Sequence, residues 1–440
     1  MKKTLLLLLL IMSFRLSKAQ NLYFPPIAGT NWDTVSASSL GWCQDKLDSL
    51  LDYLGSRNTK AFILLKDGKI VAEKYYGTFT VDSLWYWASA GKTLTGFTIG
   101  IAQQEGYLSL NDSSSHYLGA GWTVCPPAKE GMITVRHQLS MTTGLDDGVP
   151  DNHCTDDTCL QYLADAGTRW AYHNGPYTKL DAVIQNATGL SLNTYVTQKI
   201  KNPTGIQGLF VPVGDDNVFY SKARSMARFG LLLLNRGNWN GTQILTDTVY
   251  FNQMTNSSQN INPSYGYLTW LNGKSSYMVP GFQISIPGFL NAHAPADMYA
   301  AIGKNGQFIN VVPGMGLVYV RMGNAPGQGD VPFLLNDTIW QKLNGVMCGA
   351  TGVKKVDLQK NLVEVFPNPG SGVFTVYPMQ NVQGLISLKI YDSMGRIIKF
   401  FTINDMKEQQ FSLDGFADGM YSVVAEYENL VQTRTFILSR

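Results

Sequence analysis

The chain has 440 residues, 45% of them hydrophobic and 15% charged, with 34 basic against 32 acidic side chains and a formal net charge of +2. A chain of this length buries a large core and has room for more than one domain. Near-neutral charge without a basic run excludes the electrostatic footprint of a nucleic-acid binder. No stretch reaches the ~20 consecutive apolar residues of a membrane-spanning helix.

Residues 1–19 read as a secretory signal: Lys2 and Lys3, a leucine-rich core over 5–12, then Ser17-Lys18-Ala19 as a small-x-small cleavage site before Gln20. Its removal takes away four basic residues and no acid, leaving a formal charge of −2. Export exposes the five cysteines to an oxidising compartment. Cys154 and Cys159 enclose a short acidic loop and are the first expected disulfide, Cys43 and Cys348 the second, with Cys125 left over. Zinc is disfavoured, because His153 is the only histidine near Cys154 and Cys159.

Residues 61–77 alternate about Asp67-Gly68, a hairpin signal. Next comes Ser89-Ala90-Gly91-Lys92, the only SxxK in the sequence. Leu94, Phe97 and Ile101 follow at helical spacing, and Gly106 offers a stop. A serine three residues before a lysine on the first turn of a helix lets the lysine take the hydroxyl proton, so Ser89 is a candidate nucleophile and Lys92 its base. Helical patterns continue to about residue 236, with a leucine-rich stretch over 225–234. Strands are expected over 298–302, 308–312 and 317–321, and a last amphipathic segment carries Ile339, Trp340, Leu343 and Met347. Hairpin first, helices in the middle and strands plus a helix last suits one sheet built from both ends of a domain, with a helical insert.

Beyond residue 349 the texture changes. Short strand-like runs over 373–377, 385–391, 396–401, 421–426 and 433–438, separated by turn residues, have the spacing of a small β-sandwich. The expected organisation is a signal peptide over 1–19, a large domain over 20–348, a linker over 349–362 and a sandwich over 363–440.

Two further triplets accompany the SxxK. Tyr172-His173-Asn174 lies 83 residues after Ser89, and Lys304-Asn305-Gly306 lies 132 residues after Tyr172. Neither is rare alone, since Tyr250-Phe251-Asn252, Tyr427-Glu428-Asn429, Lys66-Asp67-Gly68 and Lys129-Glu130-Gly131 fit the same patterns. As an ordered set they resemble the serine β-lactamase and penicillin-binding-protein superfamily, and most closely its class C β-lactamase-like serine hydrolases. The stretches over 134–145, 172–189, 226–230 and 303–307 carry the same likeness, which covers roughly residues 40–348.

The resemblance implies an α/β (α+β) fold, with an antiparallel sheet flanked by helices and carrying a helical insert, and hydrolysis through an acyl-enzyme on Ser89. Lys92 and Tyr172 would share the serine proton, with the ammonium keeping the phenol's pKa low. Asn174, Lys304, Gly306 and Gln307 would bind substrate, and the main-chain N–H groups of Ser89 and Gln307 would form the oxyanion hole. No metal and no organic cofactor is implied. The substrate is expected to be a small-molecule or peptidic ester or amide; a β-lactamase, a D-Ala-D-Ala carboxypeptidase and a non-catalytic binder with the same fold are the alternatives. Asn305 replaces the hydroxyl residue that β-lactam binders place second in their triplet. His116, His137 and His173 lack the motif of a Ser-His-Asp triad, and His173 is expected to shape the pocket wall. Trp85, Tyr86, Trp87, Trp170 and Tyr177 suit an apolar pocket, with core packing the alternative for most of them, and the pocket's shape depends on the loops 146–159 and 257–287.

The tail has its own likeness. Phe366-Pro367-Asn368-Pro369, the stretch 390–396 and Gly419-Met420-Tyr421 resemble the C-terminal sorting domain of type IX (Por) secretion cargo. That resemblance implies the type IX secretion machinery as a partner and a secreted or cell-surface location reached through the periplasm.

Overall fold

The computed structural model describes residues 22–326, 332–348, 362–378, 385–392, 395–403, 408–427 and 430–440. The expected signal peptide and nearly all of the expected linker lie outside them. The chain divides into two units, Met1–Ala350 and Thr351–Arg440.

In the first unit, α1 (Gln44–Gly55) leads into the expected hairpin of β1 (Thr59–Lys66) and β2 (Lys69–Tyr75). Asp67 and Gly68 turn it with φ of 51° and 83°, the left-handed geometry of a two-residue loop. After α2 (Gly91–Gln104), α3 (Ala223–Leu234) and the short β3 (Trp270–Leu271), the strands return as β4 (Tyr299–Gly303), β5 (Gln307–Val312) and β6 (Leu317–Gly323), and α4 (Phe333–Val346) closes the unit. The six strands form one antiparallel sheet in the order β2-β1-β6-β5-β4-β3. β1 pairs with β6, Phe62 opposite Arg321 and Leu65 opposite Val318, so early and late segments of the chain share the sheet.

Helices cover both faces. Val318 meets Gly230 of α3, while its neighbour Tyr319 packs on Trp340 of α4 with ring centroids 5.4 Å apart. Successive strand residues point to opposite faces, so α3 and α4 lie on opposite sides of the sheet. A disulfide between Cys43, just before α1, and Cys348, just after α4, ties the two helices together. α2 is buried on all sides from Gly91 to Ala102, the mark of a helix at the centre of an insert. Its hydroxyls bond main-chain carbonyls, Thr93 to Leu268 at 2.7 Å and Thr98 to Leu94 at 2.8 Å. A three-stranded sheet flanks it, with Asp216–Ser221 between Trp85–Tyr86 and Gly208–Val213. Among the described residues, no helix is long and apolar enough to cross a membrane.

The second unit is all β. β7 (Val363–Phe366), β8 (Val373–Pro378) and β11 (Gln409–Ser412) form one sheet in the order β7-β8-β11. β9 (Ile386–Tyr391), β10 (Ile397–Ile403), β12 (Gly419–Tyr427) and β13 (Leu430–Leu438) form the other in the order β10-β9-β12-β13. Phe374, Phe411 and Phe436 pack at its core. Five strands lie within a few residues of their expected positions, while β7 and β11 carry no expectation. β11 reads as polar, Gln409-Gln410-Phe411-Ser412, and only Phe411 and its pairing with β8 make it a strand.

Candidate active site

Ser89 sits in a 3₁₀ turn, Ala88–Ala90, at the entrance to α2. The turn is bolted to its surroundings: Trp87 donates its N–H to Phe219 O at 2.8 Å and its indole to Ser221 Oγ at 2.7 Å. On the other side lies Gly303, the last residue of β4. A Cβ there would stand 2.5 Å from Trp87 O and 2.9 Å from Ala90 N, so only glycine lets the sheet edge approach the serine.

One turn along, Lys92 places Nζ 3.2 Å from Ser89 Oγ. Lys92 is only 5% exposed. Burial lowers its pKa to about 8, and Asp216 and Asp181 act on it through space in the opposite sense. The ammonium lies over two aromatic faces, 4.1 Å from the Tyr177 centroid and 5.3 Å from that of Tyr172. The expectation of a phenol held low by this cation is corrected here: burial pushes Tyr172 well above its usual value, and a hydrogen bond with Ser89 offsets only part of the rise. The cation lies over the ring, and desolvation dominates. Tyr172 is therefore a neutral hydroxyl.

Tyr172 and Asn174 are gripped by a segment that the sequence patterns did not connect to them. Asn152 Nδ2 donates to Tyr172 O at 3.3 Å, while its Oδ1 accepts from Asn174 N at 3.2 Å and from Asn174 Nδ2 at 2.6 Å. Gly175 N donates to Asn152 O at 3.0 Å, and a Cβ on Gly175 would meet Cys154 O at 2.3 Å. The Cys154–Cys159 disulfide closes the loop that carries this segment. Between them, His153 Nε2 lies 3.4 Å from Asn174 Nδ2, and its Nδ1 lies 2.7 Å from Asp216 Oδ2 on the facing hairpin. His153 thus bridges Asn174 to Asp216 across the cavity wall.

The third triplet forms the 3₁₀ turn Lys304–Gly306 between β4 and β5. Lys304 is exposed and lines the cavity beside Ser89. Asn305 donates to Tyr86 Oη at 2.6 Å. Gly306 packs on Arg321, which is buried and donates to Gly306 O at 2.8 Å, Asn305 O at 3.1 Å and Thr59 Oγ1 at 2.9 Å. The Gln307 side chain is also buried away from the cavity, its amide bonded to Gly323 at both ends. Any contact of Gln307 with a substrate thus runs through its main chain.

Ser89, Lys92, Tyr172, Asn174 and Lys304 line a cavity of about 890 Å³ that also includes Asp147, Asn152, His153, Asp216, Phe282 and Phe333, whereas Gly306 and Gln307 are not part of its lining. Tyr177 lies at the site, whereas Trp87 and Trp170 belong to the core. His137 caps the helix Val135–Leu139 through Thr134. His173 is buried, with both ring nitrogens without a hydrogen-bond partner, and burial pushes it down to about 4, so it stays neutral. Among the described residues, no cluster of three or more His, Cys, Asp or Glu side chains could hold a metal ion. Both expected disulfides form, and Cys125 is free and buried.

An antiparallel sheet covered on both faces, with a helical insert beside it, is the β-lactamase/transpeptidase fold, and proteins of that fold family are serine hydrolases. Residues 47–343 match the Beta-lactamase family, and the chain belongs to it. Residues 364–439 match the Secretion system C-terminal sorting domain, which indicates export or surface attachment. Both disulfides are consistent with an extracellular location. An uncharacterized protein of Alkalihalophilus pseudofirmus is 24% identical over 319 residues, 64% of this chain and 87% of its own length. A penicillin-binding protein homolog from Caulobacter crescentus superposes with a TM-score of 0.55 at 15% identity, covering 73% of this chain and 100% of that one. A family VIII carboxylesterase superposes with a TM-score of 0.53 at 15% identity, covering 71% of this chain and 98% of that one.

Proposed function

We propose that this protein is an exported serine hydrolase that cleaves ester or amide bonds through an acyl-enzyme on Ser89. The observation that carries the reading is Lys92 Nζ at 3.2 Å from Ser89 Oγ, with burial lowering that lysine to about 8. At pH 7 about a tenth of such a lysine is neutral and able to take a proton.

Lys92 accepts the Ser89 proton as Oγ attacks the scissile carbonyl. The oxyanion is received by the main-chain N–H groups of Ser89 and Gln307, beside the α2 N-terminus. The neutral Tyr172 hydroxyl, bonded to Ser89, relays the proton to the departing alkoxide or amine as the bond to the leaving group breaks. Water then attacks the acyl-enzyme by the same route in reverse, releasing the acid and restoring Ser89. Asn174 and Lys304 contact substrate, and Gly306 and Gln307 shape the turn that presents the main chain. Asn305 supplies no hydroxyl, and its amide is engaged with Tyr86, so a β-lactam carboxylate lacks the partner it usually finds. The C-terminal unit serves as the address for the type IX secretion machinery.

The test is intact-mass analysis of the mature protein and of Ser89→Ala after exposure to a fluorophosphonate, a penicillin and a short-chain activated ester. A single fluorophosphonate adduct and ester turnover, both lost in Ser89→Ala, are expected, without a penicillin adduct. Turnover retained by Ser89→Ala overturns the assignment.

A further inference from the structure

The cavity is far larger than a scissile bond requires. About 890 Å³ lies near the upper end of the range in which proteins bury a drug-sized ligand. Much of its wall away from Ser89 is apolar. Val279, Pro280 and Phe282 line it from the loop between the paired strands Ser276–Tyr277 and Ile286–Pro287, joined by Phe333 at the start of α4 and Val213 of the facing hairpin. The two carboxylates of the lining are already engaged, Asp147 with Arg169 at 2.5 Å and Asp216 with His153 at 2.7 Å, and the exposed Lys304 follows Gly303 at the Ser89 end of the cavity.

The loop also holds apolar side chains out into solvent. Phe282 lines the cavity and is nevertheless 61% exposed, and Ile284, two residues on, is 65% exposed. Between them, Gln283 Nε2 donates to Trp170 O at 3.1 Å, and Trp170 packs on Tyr172 with ring centroids 6.3 Å apart. The loop is thus registered to the wall that carries the proposed proton relay. A large aromatic side chain exposed at the entrance of an apolar cavity leaves area for a substrate to cover.

We propose that the preferred substrates carry an uncharged apolar acyl chain of medium length, which lies beneath the loop of Val279, Pro280 and Phe282 while its carbonyl is attached to Ser89. The inference rests on the reading of Ser89 as the nucleophile and adds the class of acid it receives. Each methylene that leaves water adds about two- to fourfold to kcat/KM, until the chain outgrows the cavity.

The experiment measures kcat/KM for the p-nitrophenyl esters of acetate, butyrate, octanoate and laurate, and for the p-nitrophenyl monoester of suberate, which matches octanoate in length but ends in a carboxylate. Wild type, Phe282→Ser and, as a remote exposed control, Val249→Ser are compared. The expected wild-type series rises at least thirtyfold from acetate to octanoate, with suberate at least tenfold below octanoate. Phe282→Ser should cut the octanoate-to-acetate ratio at least tenfold, and Val249→Ser should leave it unchanged. A flat or falling wild-type series, suberate equal to octanoate, or a Phe282→Ser ratio equal to wild type overturns the inference and leaves the Ser89 reading standing. Absence of both ester turnover and a fluorophosphonate adduct in wild type removes the Ser89 reading, and this inference with it.

Discussion

Replacing Lys92 with methionine separates what the site costs from what it does. Lys92 is 5% exposed, and its pKa falls from 10.5 to about 8. That difference sets about 3 kcal/mol against the charged lysine in the folded state. The faces of Tyr172 and Tyr177 return about 1 kcal/mol of it. Methionine is of similar length, packs adaptably and carries no charge. Lys92→Met should therefore stabilise the first unit by about 2 kcal/mol at pH 7 while abolishing acylation of Ser89. The sign with pH follows from the lowered pKa. Below about 8 the lysine is charged in both states and the whole penalty is present. Between about 8 and 10.5 the folded protein releases a proton that the unfolded chain keeps, so the stability of the wild type rises with pH. The advantage of the variant should shrink to within about 1 kcal/mol of zero by pH 10. Urea unfolding followed by tryptophan fluorescence at pH 7 and pH 10 reads the difference, and fluorophosphonate labelling reads the loss of reactivity. A variant less stable than wild type at pH 7, or a gap that stays constant between pH 7 and 10, would refute the reasoning.

On the proposed mechanism, the same lysine sets the pH dependence of acylation. For a neutral ester, kcat/KM should climb nearly tenfold per pH unit below about 8 and level off above it, because only the neutral amine accepts the serine proton. His173, pushed down to about 4, and Tyr172, pushed well above 10, add no inflection between pH 5 and 9. A midpoint near 6.5 would remove Lys92 from that role, since Asp181, which burial raises to about 7, titrates closer to it. The grip on Tyr172 and Asn174 predicts that Asn152→Ala loses about 1–3 kcal/mol of stability, since buried partners are left without hydrogen bonds. Its kcat should fall at least tenfold with a smaller change in KM, and Asn152→Asp, which keeps the acceptor for Asn174, should recover part of the loss. A destabilised Asn152→Ala with unchanged kcat would reduce the segment to a structural role.

The parts of this molecule that sequence reading reached are those in which local pattern and global placement agree. Asp67-Gly68 sits between alternating runs, and the hairpin forms there because that dipeptide accepts the positive φ at both positions. Ser89 and Lys92 are neighbours through helical geometry alone, so three residues of spacing suffice to bring them within 3.2 Å. Tyr172 and Lys304 came into view only through their order along the chain. Asn152, His153 and Asp216 did not. The first two lie in an irregular loop without periodicity, and their hydrogen bonds join them to residues 174 and 216, 22 and 63 positions away. The nearby cysteine pair is the sequence signal that could have pointed there, because a six-residue disulfide loop braces whatever adjoins it. Arg321 was read only as the end of a strand, yet its guanidinium organises the Lys304–Gly306 turn through main-chain carbonyls, and carbonyls leave no trace in residue identities.

The spacing of Ser89 and Lys92 supplies proximity but no base. A lysine with a pKa of 10.5 is neutral in only about one molecule in three thousand at pH 7, whereas one at about 8 is neutral in about one in ten, roughly a three-hundredfold gain in free amine. Desolvation produces that gain, and it comes from side chains that a sequence presents merely as aromatic. Tyr177 and Tyr172 face the amine directly. Behind Tyr172, Trp270 stacks at 5.9 Å and Tyr265 meets it edge-on at 6.2 Å, which shields the amine from water on that side. The same shielding raises Tyr172 and takes it out of contention as a phenolate. One apolar wall thereby suits both residues to their proposed roles, lysine as base and tyrosine as neutral relay, by moving two pKa values in opposite directions from their ordinary positions.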